Sequence, residues 1–224
     1  SNITTKVFDY QGKEITQIQN PNCCNIDKIE ISKDGKSAKV LLSSYFKSKI
    51  PFVYLLDEKR FENSNIEKLM TKHGGVQFST QIQLATSQDG TKVPVRVSHR
   101  KDLIPNSNNP AFIYGYGGFN LEGYMRSFND KMDMFWMKNG GIIASPALRG
   151  GNEFGPKWHQ SAKLLNKNKT FEDIVATAKL LQDKQLTSPR LTAIEGASNG
   201  GMVVAATGLL YGKVWFDYND KASY

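Results

Sequence analysis

One serine in this chain of 224 residues stands where nucleophilic chemistry could be done, in Leu191-Thr192-Ala193-Ile194-Glu195-Gly196-Ala197-Ser198-Asn199-Gly200-Gly201. The run reads as a strand, a sharp turn carrying the serine, and the start of a helix, the arrangement of a nucleophile elbow. Such a turn strains the serine backbone, so the residues two before and two after must be small. Here they are Gly196 and Gly200. An amide is attacked slowly because a hydroxyl is a weak nucleophile at its own pKa and because the tetrahedral intermediate gathers negative charge on oxygen. A serine in this position needs a base for its proton and preorganised donors for the oxyanion.

The elements that must position Ser198 can be read from patterning. Residues 1 to about 75 alternate short β-type runs (Lys6 to Tyr10, Lys28 to Ser32, Ala38 to Ser43, Phe52 to Asp57) with turns such as Gln11-Gly12-Lys13 and Asp34-Gly35, which points to antiparallel sheet. Propeller blades run about 40 to 45 residues each, so fewer than two fit here. From Gln77 the pattern changes. A hairpin is predicted from Phe78 to Ala85 and Val93 to Ser98, then a short apolar strand Pro110 to Tyr114 ending in Gly115-Tyr116-Gly117-Gly118-Phe119. An amphipathic segment from Tyr124 to Lys138 carries Phe128, Met132, Phe135 and Trp136 at helical spacing. A buried strand from Gly141 to Ser145 leads into Leu148-Arg149-Gly150-Gly151-Asn152-Glu153-Phe154-Gly155. A helix over Thr170 to Asp183 puts Phe171, Ile174, Val175, Ala178 and Leu181 on one face, with Thr170 as N-cap and Asp173 three residues on. Strand, helix, strand, helix, strand, elbow is the order of a doubly wound parallel sheet.

Composition excludes some classes of function. No run of eighteen apolar residues and no charged-then-apolar leader occurs, so neither a membrane span nor a signal peptide is visible. Cys23 and Cys24 are adjacent, which disfavours a disulfide between them, fits a reducing, cytoplasmic compartment, and makes no zinc site without matched histidines. The net charge of +8 comes from scattered residues such as Lys163, Lys167, Lys169 and Lys179 rather than a basic stripe. A solvated lysine-rich surface is expected, with no nucleic-acid partner, no membrane partner, no metal and no cofactor.

Three motifs in order resemble the prolyl oligopeptidase family of serine peptidases, in which a β-propeller caps an α/β-hydrolase catalytic domain. They are Tyr114-Gly115-Tyr116-Gly117-Gly118-Phe119, Arg149-Gly150-Gly151-Asn152-Glu153-Phe154-Gly155 with Trp158-His159 following, and Gly196-Ala197-Ser198-Asn199-Gly200-Gly201. The likeness runs from about residue 78 to 208 and is weaker before it. It implies an α/β fold, a truncated α/β-hydrolase doubly wound sheet over residues 76–224, preceded over residues 1–75 by antiparallel β strands resembling part of a β-propeller. It further implies that Ser198 is the nucleophile, that the backbone N–H of Asn199 and the hydroxyl of Tyr116 are the oxyanion donors, and that Phe119 contacts a substrate proline. The activity implied is hydrolysis of short peptides after proline through an acyl-enzyme. Arg149 and Glu153 are expected to shape their loop as an ion pair, and His159 to be structural.

In this fold the triad acid and then the histidine follow the serine, each on a later βα unit, which requires about 60 further residues. Only 26 residues follow Ser198, and His73, His99 and His159 all precede it. The chain alone is therefore expected to be inactive or nearly so, and poorly soluble unless a second chain supplies the C-terminal part. Asp217 and Asp220 are weak candidates for the acid, and Trp215 does not match the family's proline-stacking tryptophan. Two other readings stay open: a catalytically dead peptide-binding or regulatory relative, and a related esterase or dipeptidyl peptidase, which the Tyr116-Gly117-Gly118 loop disfavours.

Overall fold

The computed structural model describes residues 4–22, 24–121 and 132–212. Phe128 of the expected helix, Cys23, and the tail residues Trp215, Asp217 and Asp220 lie outside them. The chain divides into two compact units, Ser1–Phe78 and Ser79–Tyr224.

The first unit is antiparallel. Strands β1 (Thr4–Phe8) and β2 (Glu14–Gln19) form a hairpin. Its turn is held by the Asp9 carboxylate, which accepts from the N–H groups of Gln11 and Lys13 at 3.0 and 2.8 Å. Strands β3 (Asn25–Ile31), β4 (Ser37–Ser43), β5 (Ile50–Leu55) and β6 (Arg60–Phe61) follow as a meander in chain order. Alternation along β4 sends Ala38, Val40 and Leu42 inward, where they pack with Ile18, Phe52, Tyr54 and Met70. Helix α1 (Ile66–Thr71) and the short strand β7 (Lys72–His73) complete the unit. Strand β2 and helix α1 were not legible in the sequence.

The second unit is a mixed sheet with helices. The hairpin of β8 (Val76–Thr86) and β9 (Lys92–Arg100) leads to β10 (Ala111–Tyr114), then helix α2 (Met132–Lys138), strand β11 (Ile142–Pro146), helix α3 (Pro156–Gln160), helix α4 (Asn168–Asp183), strand β12 (Thr192–Glu195) and helix α5 (Asn199–Leu210). In space β12 pairs with β10, β10 with β11, and β11 with β9. The first two pairings are parallel and the third antiparallel. The parallel part expected from the strand–helix alternation is thus β10, β11 and β12, flanked by an antiparallel hairpin. Strand β11 is buried on both faces, as a central parallel strand must be.

Helix α4 covers the sheet through Phe171, Ile174, Ala178 and Leu181, which meet Val95, Ile113, Ile142 and Leu148 in one core. All five residues of its predicted apolar face are buried. Its start differs from expectation. The helix begins at Asn168, and the Thr170 hydroxyl, instead of capping it, donates to the carbonyl of Arg149 at 2.9 Å. The face of α2 also differs. Met134 and Met137 point inward, whereas Met132 and Phe135 are each 67% exposed. Trp136 is held by its indole N–H, which donates to Ile142 O at 3.0 Å.

Candidate active site

Strand β12 ends at Glu195, helix α5 begins at Asn199, and the three residues between them reverse the chain. Ser198, at the N-cap of α5, has φ 55° and ψ −121°, and it is exposed. A non-glycine residue in this region of backbone space is strained by about 1 to 3 kcal/mol and persists only where its surroundings impose it. Those surroundings are backbone. A Cβ on Gly196 would lie 2.5 Å from Gly200 O and 2.7 Å from Gly115 O, and one on Gly200 would collide with Gly115 O. The elbow thus packs directly on the end of β10, where Gly115 N–H donates to Glu195 O at 2.9 Å. Neither Gly196 nor Gly200 leaves room for a side chain.

That contact brings the second motif to the first. Asn199 donates from Nδ2 to Tyr116 O at 2.6 Å, and its side chain fills the space that a side chain at Gly118 would need. The N–H of Asn199 stands at the first position of α5, where a helix offers no internal acceptor and the macrodipole is positive. Ser198, Asn199 and Tyr116 therefore share one corner, and Tyr116 is half-buried there. Phe119 lies farther along the same loop, 73% exposed, with φ 54°.

The third motif supports this corner from behind. Arg149 is 2% exposed. Its guanidinium donates to the Asp173 carboxylate from Nε at 3.0 Å and from NH2 at 2.7 Å, to Asp89 Oδ2 at 2.5 Å, and to Ser87 Oγ at 2.9 Å. Its own N–H adds a bond to Asp173 Oδ2 at 3.0 Å. The ion pairs expected with Glu153 are thus made with Asp173 of α4 and Asp89 of the β8–β9 turn. Chiefly through the Arg149 hydrogen bond, the Asp89 carboxyl is held well below the usual carboxylate range. Thr170 closes the circuit by bonding the Arg149 carbonyl.

His159 joins the loops. Its Nδ1 lies 2.6 Å from Gly150 O and 3.2 Å from the N–H of Asn120. One tautomer donates to the first and the other accepts from the second. The His99 ring lies 2.6 Å from Arg100 O. Neither histidine of this unit is bonded to Ser198. Trp158 packs edge-to-face on Phe154, with centroids 5.0 Å apart. Sequence reasoning missed the Asn199 side chain, Asp89, Asp173 and Lys167 as neighbours of these loops. Each reaches its partner from a segment 24 to 83 residues away, which no local spacing reveals.

Among the described residues no helix is long and apolar enough to cross a membrane. No group of three or more His, Cys, Asp or Glu among them could hold a metal ion.

Known proteins resemble the chain in sequence and in fold. The model of the prolyl oligopeptidase family matches residues 126–215. A prolyl endopeptidase of Elizabethkingia meningoseptica is 33% identical over 203 residues, covering 90% of this chain and 28% of that protein. A prolyl endopeptidase structure superposes with TM-score 0.68 at 30% identity, over 94% of this chain and 30% of that one. Prolyl oligopeptidase B from Galerina marginata superposes with TM-score 0.72 at 26% identity, over 91% and 29%. The chain spans less than a third of the length of these relatives.

Proposed function

As a member of the prolyl oligopeptidase family of serine peptidases, the chain carries, we propose, the nucleophile and oxyanion side of a site that hydrolyses short peptides after proline through an acyl-enzyme on Ser198. The carrying observation is the strained Ser198 backbone, φ 55°, locked against Gly115 with Asn199 and Tyr116 beside it. Ser198 Oγ attacks the carbonyl carbon. The oxyanion is received by the Asn199 N–H, which α5 aims outward, and by the Tyr116 hydroxyl. Donors held on packed elements need little reorganisation as charge develops. Phe119 offers the aromatic face for proline.

The base on this reading is a histidine outside these 224 residues, on a further length of the same protein or on a second chain. His99 and His159 support this assignment because both rings are engaged with backbone carbonyls of their own loops. The residues 1–75 are read as part of a propeller, in keeping with the sequential meander of β3 to β6.

The same two engaged histidines favour a second reading, a relative that binds peptides without cleaving them. Kinetics on the natural gene product separate the two. With a peptidyl-prolyl anilide and a simple acyl ester as substrates, the first reading expects turnover of the anilide, its loss in Ser198→Ala, and a kcat about 10²- to 10³-fold lower in Tyr116→Phe. Peptide binding without turnover, unchanged in Ser198→Ala, supports the second. Preference for the ester over the anilide contradicts the proline specificity.

A further inference from the structure

Tyr116 sits on a loop whose two successive carbonyls are taken by side chains from two different helical segments. Asn199 takes the carbonyl of Tyr116. The Lys167 ammonium, from the residue that precedes α4, donates to the carbonyl of Gly117. We propose that Lys167 is a positioning residue for the oxyanion site, fixing the Gly117 carbonyl and with it the direction in which Tyr116 presents its hydroxyl. The proposal rests on the reading of Tyr116 as an oxyanion donor.

The surroundings are built for this one contact. Gly117 has φ +56°, and the place of its missing side chain is filled by the Thr170 methyl, by Leu148 Cβ at 3.0 Å and by Arg149 O at 3.2 Å. A Cβ on Gly150 would lie 2.5 Å from Gly117 O and 3.5 Å from Lys167 Nζ, so the carbonyl and the ammonium meet in a gap that the bare glycine leaves open. The peptide is thus gripped from the α4 side by Thr170 and Lys167 and from the loop side by Arg149 and Gly150.

Lys167 is also poorly placed for a purely solubilising lysine. It is half-buried, and burial pushes its ammonium below the ordinary lysine value, with no carboxylate among the described residues acting against the shift. Burying an ammonium without a counter-charge costs stability. The nearby Lys163 is exposed and bears no such cost. Among the described residues the partner Lys167 has is a carbonyl, and that carbonyl belongs to the peptide next to Tyr116.

The test is steady-state kinetics of the natural gene product on a peptidyl-prolyl anilide, with Lys167→Met, Tyr116→Phe, the double variant, and Lys163→Met as the control. Misplacement of a reacting group by about 1 Å can cost about 10²-fold, so Lys167→Met is expected to lower kcat by roughly ten- to a hundredfold with KM within about twofold. In the Tyr116→Phe background the same change is expected to add almost nothing, because the hydroxyl it positions is already gone. Unchanged kcat in Lys167→Met, or losses that multiply in the double variant, overturns the proposal. A wild-type rate in Tyr116→Phe instead overturns the underlying reading of Tyr116.

Backbone hydrogen exchange across residues 115–121 of the natural gene product reads the same clamp without turnover. Lys167→Met is expected to speed it while Lys163→Met leaves it unchanged, and equal exchange in all three proteins overturns the clamp. Lys167→Ala, which likewise removes the donor, takes the place of Lys167→Met if that variant fails to fold.

Discussion

Asn199 and Tyr116, 83 residues apart in sequence, are joined by a 2.6 Å hydrogen bond from the Asn199 amide to the Tyr116 carbonyl. The residue after the elbow serine thus fixes by its side chain the loop that carries one proposed oxyanion donor, while its own N–H, at the first position of α5, is the other one proposed. Asn199→Ala removes the first role and keeps the second. We expect kcat on a prolyl anilide to fall about tenfold with the fold intact, as follows from the loss of one hydrogen bond worth about 1 to 1.5 kcal/mol. Stopped assays beside a circular dichroism melt check it.

Gly200→Ala tests the packing of the elbow. Its new Cβ meets Gly115 O, a backbone atom that cannot rotate away. A loss of about 2 kcal/mol or more in unfolding free energy is expected. Gly208→Ala on the same helix, where a Cβ meets nothing within 4 Å, is expected to be neutral or slightly stabilising. Urea titration of both variants makes the comparison.

Arg149→Met removes the guanidinium and leaves Asp173, which is fully buried, without its counter-charge. Breaking a buried pair in this way costs about 3 to 5 kcal/mol. Replacing Arg149 and Asp173 together, by Met and Leu, is expected to recover much of that loss. A double variant no more stable than Arg149→Met alone would show that the pair is not the unit of stability.

The same cluster gives the protein an acid-sensitive element. Asp89 is ordinary, at 3.8, in the unfolded chain and lower in the folded one, chiefly because Arg149 hydrogen-bonds its charged form. A depressed carboxylate contributes stability that is fully present above the unfolded pKa and is lost as pH falls through the folded one. Stability is therefore expected to decline from about pH 4 downward and to be indifferent to this group above about pH 5. Asp89→Asn is expected to be less stable than wild type at neutral pH and to converge with it in acid. Parallel melts across that range read the crossover.

What the sequence made legible is what is local. Gly196, Ser198 and Gly200 announce the elbow because strand, turn and helix follow each other within a dozen residues. The face of α4 is legible because Phe171, Ile174, Val175, Ala178 and Leu181 recur at helical period. Spacing misled where a distant partner outbid a near one. Glu153 stands four residues from Arg149, yet Asp173 and Asp89, 24 and 60 residues away, take the charge. Thr170 reads as a cap until the Arg149 carbonyl claims its hydroxyl. Lys167 is one lysine among several in the sequence, and only the fold sets it against Gly117.

The central claim, that Ser198 is the activated nucleophile, is tested most directly by a fluorophosphonate active-site probe applied to the natural gene product, with the adduct located by peptide mapping. A single adduct on Ser198, lost in Ser198→Ala together with prolyl anilide hydrolysis, is the predicted result. Hydrolysis that survives Ser198→Ala, or an adduct on another residue, would contradict it.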